Sequence, residues 1–380
     1  MLAVDVAAIW LINRRKPFWV WVAAMVCVGA TAILLGGVLA GLFAGRLGSL
    51  QGWDGVNRYG ILSLWSQGSH FAIFRLWSYG LFVHGVVLLV GTAAVWRRSR
   101  AKLAGVAAVV AIALACTGLE AFVIEPQWLE VSHYRIASPK IHQPLRIVVV
   151  ADLQTDRIGA YERGVLRQVL EQKPDLILLA GDYIQTSWED RAILQSQLNR
   201  VLRELDFTAP RGVFAVQGNV DCPGWQEIFD GLGVTTVSAN ESFDLGELRL
   251  TCLGLFESLG GGGRIVNPRP DQFHLVLGHA PDYALGQVDA ELLVAGHTHG
   301  GQVRLPWIGP VITHSRVPHD WAAGMTDLPG GRKLLVSRGI GMERGNAPPV
   351  RFLCRPELVV IDLVHSEAGK REEGRGDEHL

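Results

Sequence analysis

Cysteine spacing of the kind that builds zinc knuckles or disulfide frameworks is missing. Of the five cysteines, Cys27 and Cys116 lie in apolar runs, and Cys222, Cys252 and Cys354 stand far apart with no CxxC pair. An excess of charge of either sign is missing too: 35 Lys and Arg face 36 Asp and Glu, for a formal net charge of −1. Gripping nucleic acid by bulk charge takes a basic domain, so no nucleic acid is expected as a partner. Charge itself is scarce, at 19% of residues against 49% hydrophobic. That balance excludes extensive disorder and is more apolar than ordinary soluble domains carry. No internal repeat is visible.

A chain of 380 residues exceeds what one hydrophobic core usually organises, so at least two parts are expected. The apolar excess is concentrated in residues 1–130, read as a membrane region with about three transmembrane helices. Residues 18–44 form an uncharged run, and a bilayer takes about 20 residues to cross. Residues 77–96 form a second run with His84 as its one ionisable group, and residues 103–124 a third with Glu120 near its end. A cleaved signal peptide has a shorter apolar stretch and a small-residue cleavage site, so retained helices fit better. His84 and Glu120 are read as structural or interfacial, because Glu120 lies near a boundary and a single neutral His is tolerated at little cost. The Trp-rich loop 52–77 reads as interfacial anchoring, and residues 1–13 as too short to span. Basic clusters at residues 14–16 and 97–102 fall on one side of a three-span arrangement. The positive-inside rule puts that side in the cytoplasm and the chain beyond Ile124 on the extracytoplasmic face of the cell or inner membrane.

Beyond a linker over residues 131–144, residues 145–365 read as a soluble α/β domain, followed by a polar tail, 366–380, expected to be disordered. Residues 145–150 (LRIVVV) form the continuous β-branched run of a strand buried on both faces. Helical spacing over 161–173 and 191–205 alternates with further strands at 175–179, 212–216, 234–237, 248–253, 273–277, 292–295, 334–336 and 358–363. Several of these strands end in polar residues: Asp152, Gly181-Asp182, Gly218-Asn219, Gly278-His279 and Gly296-His297-Thr298-His299. Catalytic groups in such sheets collect beyond the strand carboxyl ends. Two Asp, one Asn and three His there suit two divalent cations, with Mn, Fe or Zn favoured over Ca or Cu(I).

This ordered set resembles the calcineurin-like metallophosphoesterase family. The continuation through residues 300–306, the Ser337-Arg338-Gly339-Ile340-Gly341 stretch and Arg351-Phe352 are similar to its membrane-associated phosphodiesterase branch. The resemblance covers about residues 145–363 and implies a four-layer α/β/β/α sandwich with a dinuclear metal site. Carried over residue by residue, it implies that Asp182 bridges the metals. One metal takes Asp152 and His299, the other Asn219, His279 and His297, and a metal-bridging hydroxide attacks phosphorus in line. Two positions depart from the family pattern. Its first motif is usually Asp-x-His, and here Gln154 stands in the histidine's place, offering a carbonyl oxygen as a neutral ligand. Its third is usually Gly-Asn-His, and here Val220 follows Asn219. Asp221, next in the chain, is either a hydrogen-bonding group of the site or an N-cap for residues 223–229. Arg304, Arg338 and Arg351 are candidates to grip phosphate oxygens. His274 is expected to face away from the metals, and His314, His319 and Trp321 to lie near the mouth of the site.

The expectation is thus a membrane-anchored phosphohydrolase acting on a phosphodiester or phosphoanhydride, with a lipid-linked substrate suggested by position alone. The alternatives are a metal-binding membrane sensor or scaffold without turnover, and a nuclease or cyclic-nucleotide phosphodiesterase. Near-neutral charge disfavours the nuclease.

Overall fold

The computed structural model describes residues 71, 74–261, 263–310, 312–345 and 347–366. The expected span at 18–44, the N-terminal segment 1–13 and the tail from residue 367 lie outside the described residues. The chain divides into two compact units, one of Met1–Ile124 with Glu343–Pro349, the other of Glu125–Met342 with Val350–Leu380.

In the first unit, apolar sequence with charge only near the ends of the second helix, at Lys102 and Glu120, forms helices α1 (Val86–Trp96) and α2 (Ala101–Leu119), continued by π-helical turns at Gly80–Gly85 and Glu120–Ile124. Two described helices are long and apolar enough to cross a membrane: Phe74–Trp96, of 23 residues, and Ala101–Gln127, of 27. Small residues bring them together. Ala104, Ala107, Ala111 and Gly118 are buried on α2 at helical spacing, and a Cβ on Gly118 would lie 3.1 Å from the Phe82 ring. Close approach over small side chains is how helices associate when lipid offers no hydrophobic drive. The outward faces stay apolar, with Val90, Val106, Val109 and Ile112 exposed.

The second unit runs through β1 (Glu130–Ser138), β2 (Leu145–Val150), α3 (Ala160–Glu171), β3 (Leu176–Leu179), α4 (Arg191–Glu204), β4 (Val213–Val216) and β5 (Val234–Val237). It continues through β6 (Glu241–Leu245), β7 (Leu248–Cys252), β8 (Phe273–Leu277) and β9 (Leu292–Ala295). β10 (Gly324–Asp327), β11 (Lys333–Val336) and β12 (Glu357–His365) complete it. Two mixed six-stranded sheets result, ordered β1-β12-β2-β3-β4-β5 and β10-β11-β9-β8-β7-β6. Strands β2 to β5 are mutually parallel, as are β7, β8, β9 and β11, while β12 runs antiparallel to β2.

Alternation along the strands decides what each face buries. Ile147 and Val149 of β2 join Leu178, Phe214, Leu250, Leu275 and Val294 in one core drawn from both sheets. Val148 and Val150 point the other way, into a core with Val165 and Val169 of α3 and Leu198 and Val201 of α4. A third cluster covers the far side of the second sheet through Val276, Leu293 and Leu334.

The stretch 131–144, expected as a linker, is instead largely strand. Its residues 130–138 pair along their whole length with β12 at the sheet edge. The reason is visible in EVSHYRIAS: polar and apolar residues alternate, as an edge strand open to solvent on one face allows, so the continuous apolar run of a central strand is absent. The second unit accordingly begins at Glu125.

Candidate metal centre

Because β2, β3 and β4 are parallel in one sheet and β8 and β9 in the other, their carboxyl ends open on one edge in each. Each strand is followed within three residues by a polar group: Asp152, Asp182, Asn219, His279 and His297. The backbone there is forced. Asp152, Gln154, Asp182, His297 and His299 take φ of 50°, 34°, 55°, 71° and 49°, a left-handed region that costs a non-glycine residue about 1–3 kcal/mol and gathers at functional sites. Glycine before the ligand is a steric necessity at Gly218, where a Cβ would fall 2.0 Å from Asp182 Oδ1.

Hydrogen bonds on the outer nitrogens settle the histidine tautomers. His279 Nδ1–H donates to the Ala180 carbonyl at 2.8 Å, and His297 Nε2–H to the His314 carbonyl at 3.1 Å. The remaining nitrogens then carry lone pairs, and they face each other, His297 Nδ1 lying 3.1 Å from His279 Nε2. His279 Nε2 is also 2.8 Å from Asn219 Oδ1 and 3.5 Å from Asp182 Oδ2. Four acceptors thus converge with no proton assigned among them, and Asp182, His279 and His297 have ligand atoms within 4.8 Å of one another. Such a set is stable around a cation. Burial holds His279, His297 and His299 below the usual histidine range, which keeps them neutral and able to ligate. His299 Nδ1 is buried with no hydrogen-bond partner among the described residues. Donor chemistry and orphaned nitrogen both fit divalent metal.

Asp152 is fully buried and accepts the His297 backbone N–H on both carboxylate oxygens, at 2.9 and 3.0 Å. Gln154, also fully buried, donates from Nε2 to Gln185 Oε1 at 2.9 Å. Asp221 proves to be no N-cap; the short 3₁₀ turn Trp225–Phe229 is preceded by Gly224. Its carboxylate accepts from the backbone N–H groups of Asp182, Tyr183 and Gly218 at 2.8, 2.9 and 2.8 Å, pinning two candidate ligand loops together. Burial pushes its pKa up to about 6 against the pull of those three donors.

Arg351 is a correction. Arg351 is fully buried and donates to the carbonyls of Gly339, Gly341, Arg338 and Cys354, so its guanidinium is spent inside the protein. It clamps the turn whose Ile340 and Gly341 N–H groups hold the Ala151 and Asp152 carbonyls. Arg338 pairs with Glu130 at 3.0 Å and Glu357 at 3.2 Å, and Arg304 Nη1 donates to the Gly300 carbonyl at 3.1 Å. A glycine-rich sequence next to an arginine looks alike whether the arginine grips phosphate or backbone, which is why composition could not separate the two. His274 is buried away from the cluster, bonded to Thr251 and the Asp289 carbonyl. Of the three residues expected at the mouth, His314 reaches the site through its carbonyl, while Trp321 packs against the apolar cluster on the second sheet. The sequence reading missed Asp282, which ties down Ser315 and Arg316 beside His314; nothing in its local sequence signals that role.

Comparison with known proteins agrees with this geometry. Residues 145–301 match the family model of the calcineurin-like phosphoesterases. The phosphodiesterase YaeI of Escherichia coli is 33% identical over 63% of this chain and 90% of its own length. The uncharacterized metallophosphoesterase YkuE of Bacillus subtilis is 31% identical over 63% of this chain and 87% of its own length. More distantly, the UDP-2,3-diacylglucosamine pyrophosphatase LpxG of Chlamydia trachomatis is 23% identical over 64% of this chain and 91% of its own. The motifs, the α/β fold with mixed sheets and these relatives lead to one conclusion: the chain belongs to the calcineurin-like phosphoesterase family, metal-dependent hydrolases of phosphoric esters.

Proposed function

We propose that this protein is a membrane-anchored phosphohydrolase cleaving a phosphodiester or phosphoanhydride, its two sheets and flanking helices forming a four-layer α/β/β/α sandwich. The observation that carries the reading is the convergence of His279 Nε2, His297 Nδ1, Asn219 Oδ1 and Asp182 Oδ2 on one point. Two cations would be held by Asp182 in common, with Asp152, Gln154 and His299 holding one and Asn219, His279 and His297 the other. Mn, Fe or Zn suits the mixed carboxylate and imidazole set. Divalent cations in such a site neutralise charge developing on phosphoryl oxygens and make water a nucleophile at neutral pH. The protein's own share is to hold neutral imidazoles in one tautomer through the Ala180 and His314 carbonyls, and to fix Asp182 through the Val220 N–H at 2.9 Å and the Asp221 carboxylate.

Apolar, exposed helices support anchoring in a cell or inner membrane, and the basic residues 97–102 support placing the hydrolase unit on the extracytoplasmic face. Relatedness to a pyrophosphatase acting on a diacylated sugar nucleotide supports a lipid-linked substrate. The test combines metal analysis of the full chain with hydrolysis of an aryl phosphodiester before and after chelation. About two cations per chain are expected, with activity lost on chelation and restored by metal. Full metal occupancy without turnover would replace the enzyme by a metal-binding sensor.

A further inference from the structure

A short hairpin follows the histidine motif, pairing Arg304–Leu305 with Gly309–Pro310. Its tip carries Trp307, fully exposed, and Ile308, 71% exposed, with Leu305 beside them. The hairpin backs directly on the metal loop: a Cβ on Gly301 would lie 2.3 Å from Pro310 Cβ. From there hydrogen bonds through backbone and through the Glu125 and Arg355 side chains link the hairpin to its neighbouring segments. Arg304 N–H donates to the Phe352 carbonyl at 2.9 Å, and exposed Leu353 donates its N–H to Glu125 at 2.9 Å. Arg355 bonds the Trp128 carbonyl at 3.0 Å and stacks its guanidinium on the exposed Trp128 ring at 4.2 Å. Leu305, Trp307, Ile308, Leu353 and Trp128 thus lie on adjoining segments rather than as scattered side chains. Soluble surfaces seldom gather such residues without a partner.

Chain connectivity identifies the partner. Trp128 is the residue immediately after Ala101–Gln127, the 27-residue helix apolar enough to cross a bilayer. A strip that starts where such a helix ends is tethered at the lipid surface, and tryptophan with an arginine on its face suits the head-group boundary. We infer that the 304–310 hairpin, together with Leu353 and Trp128, docks on the surface of the bilayer that holds the anchor, so that the metal site takes amphipathic phosphoesters or phosphoanhydrides directly from that surface. The substrate half of this inference rests on the proposed phosphohydrolase activity, and the docking half on the proposed membrane anchoring alone.

Both halves are tested on the full chain in phosphatidylcholine nanodiscs. The chain has 12 tryptophans, so the contribution of Trp307 is read as wild type minus Trp307→Phe. That difference emission is expected to be quenched by lipids brominated high on the acyl chain and protected from aqueous iodide. Quenching by iodide alone would overturn docking. Protection from both quenchers would show a protein partner there and overturn it equally. For the substrate, the variant Trp307→Ser/Ile308→Ser is compared with wild type on bis(4-nitrophenyl) phosphate in solution and on a diacylglycerol 4-nitrophenyl phosphate in the bilayer. The leaving group is the same, so the chemistry is matched. About a tenfold loss of kcat/KM on the lipid alone is expected; equal activity of both proteins on both substrates refutes uptake from the surface. A wild type inert to both substrates would refute the phosphohydrolase reading and leave the quenching result standing.

Discussion

Val220 gives the site its backbone N–H, at 2.9 Å from Asp182 Oδ1, and a side chain that cannot donate a proton. Where the family usually has histidine, help to the leaving oxygen is thereby lost, and general-acid help is worth about 10²–10⁴-fold. A basic alkoxide needs it most; a phenolate or phosphate departs as a stable anion. Native enzyme is expected to prefer pyrophosphate linkages or aryl esters over dialkyl phosphodiesters. Val220→His should raise kcat/KM for alkyl esters more than for aryl esters at matched metal content. Equal native rates on both classes would mean that another residue supplies the proton. Asp221 makes a different prediction, since its carboxylate is bonded to backbone N–H groups. Asp221→Asn keeps the shape but turns an NH₂ toward one of three N–H donors. Metal affinity is expected to fall about 10–100-fold, the usual effect of disturbing groups behind ligands. A fall in kcat with metal affinity intact would place Asp221 in the chemistry instead.

At the level of elements, what was readable followed burial. Strands sealed on both faces, such as 176–179 and 292–295, show as unbroken apolar runs, and the residues just past their ends were the site candidates. Edge strands β1, β6 and β10 escaped because one side faces solvent and their polar residues read as loop. The role of Arg351 escaped for another reason: four carbonyls, three of them 10–13 residues earlier in the chain, define it, and no sequence pattern announces a backbone clamp. Gly218 belongs to this scale as well, because its lack of a side chain lets the turn after β4 press on the turn after β3. Gly218→Ala is expected to destabilise the fold by about 1–3 kcal/mol, as overpacking does, and to lower metal content. Thermal unfolding and metal analysis check it; unchanged values for both would show that the two turns can separate freely.

For the molecule as a whole, the proposed membrane orientation is checked by a fusion. A reporter active only outside the cytoplasm, joined after Leu363, is expected to be active, and activity only of a cytoplasmic reporter at that point would reverse the assignment. The same region of the chain holds a further consequence. β12 lies between β1 and β2, so the last of the described strands wedges between the first two. A growing chain therefore carries every candidate ligand before it can close its first sheet, and the turn that Arg351 clamps under Asp152 is anchored just ahead of that final strand. Synthesis of β12, and not of the histidine motif, is what completes the frame around the site; a chain truncated before Glu357 is expected to carry all its candidate ligands and to lack the strand that joins β1 to β2.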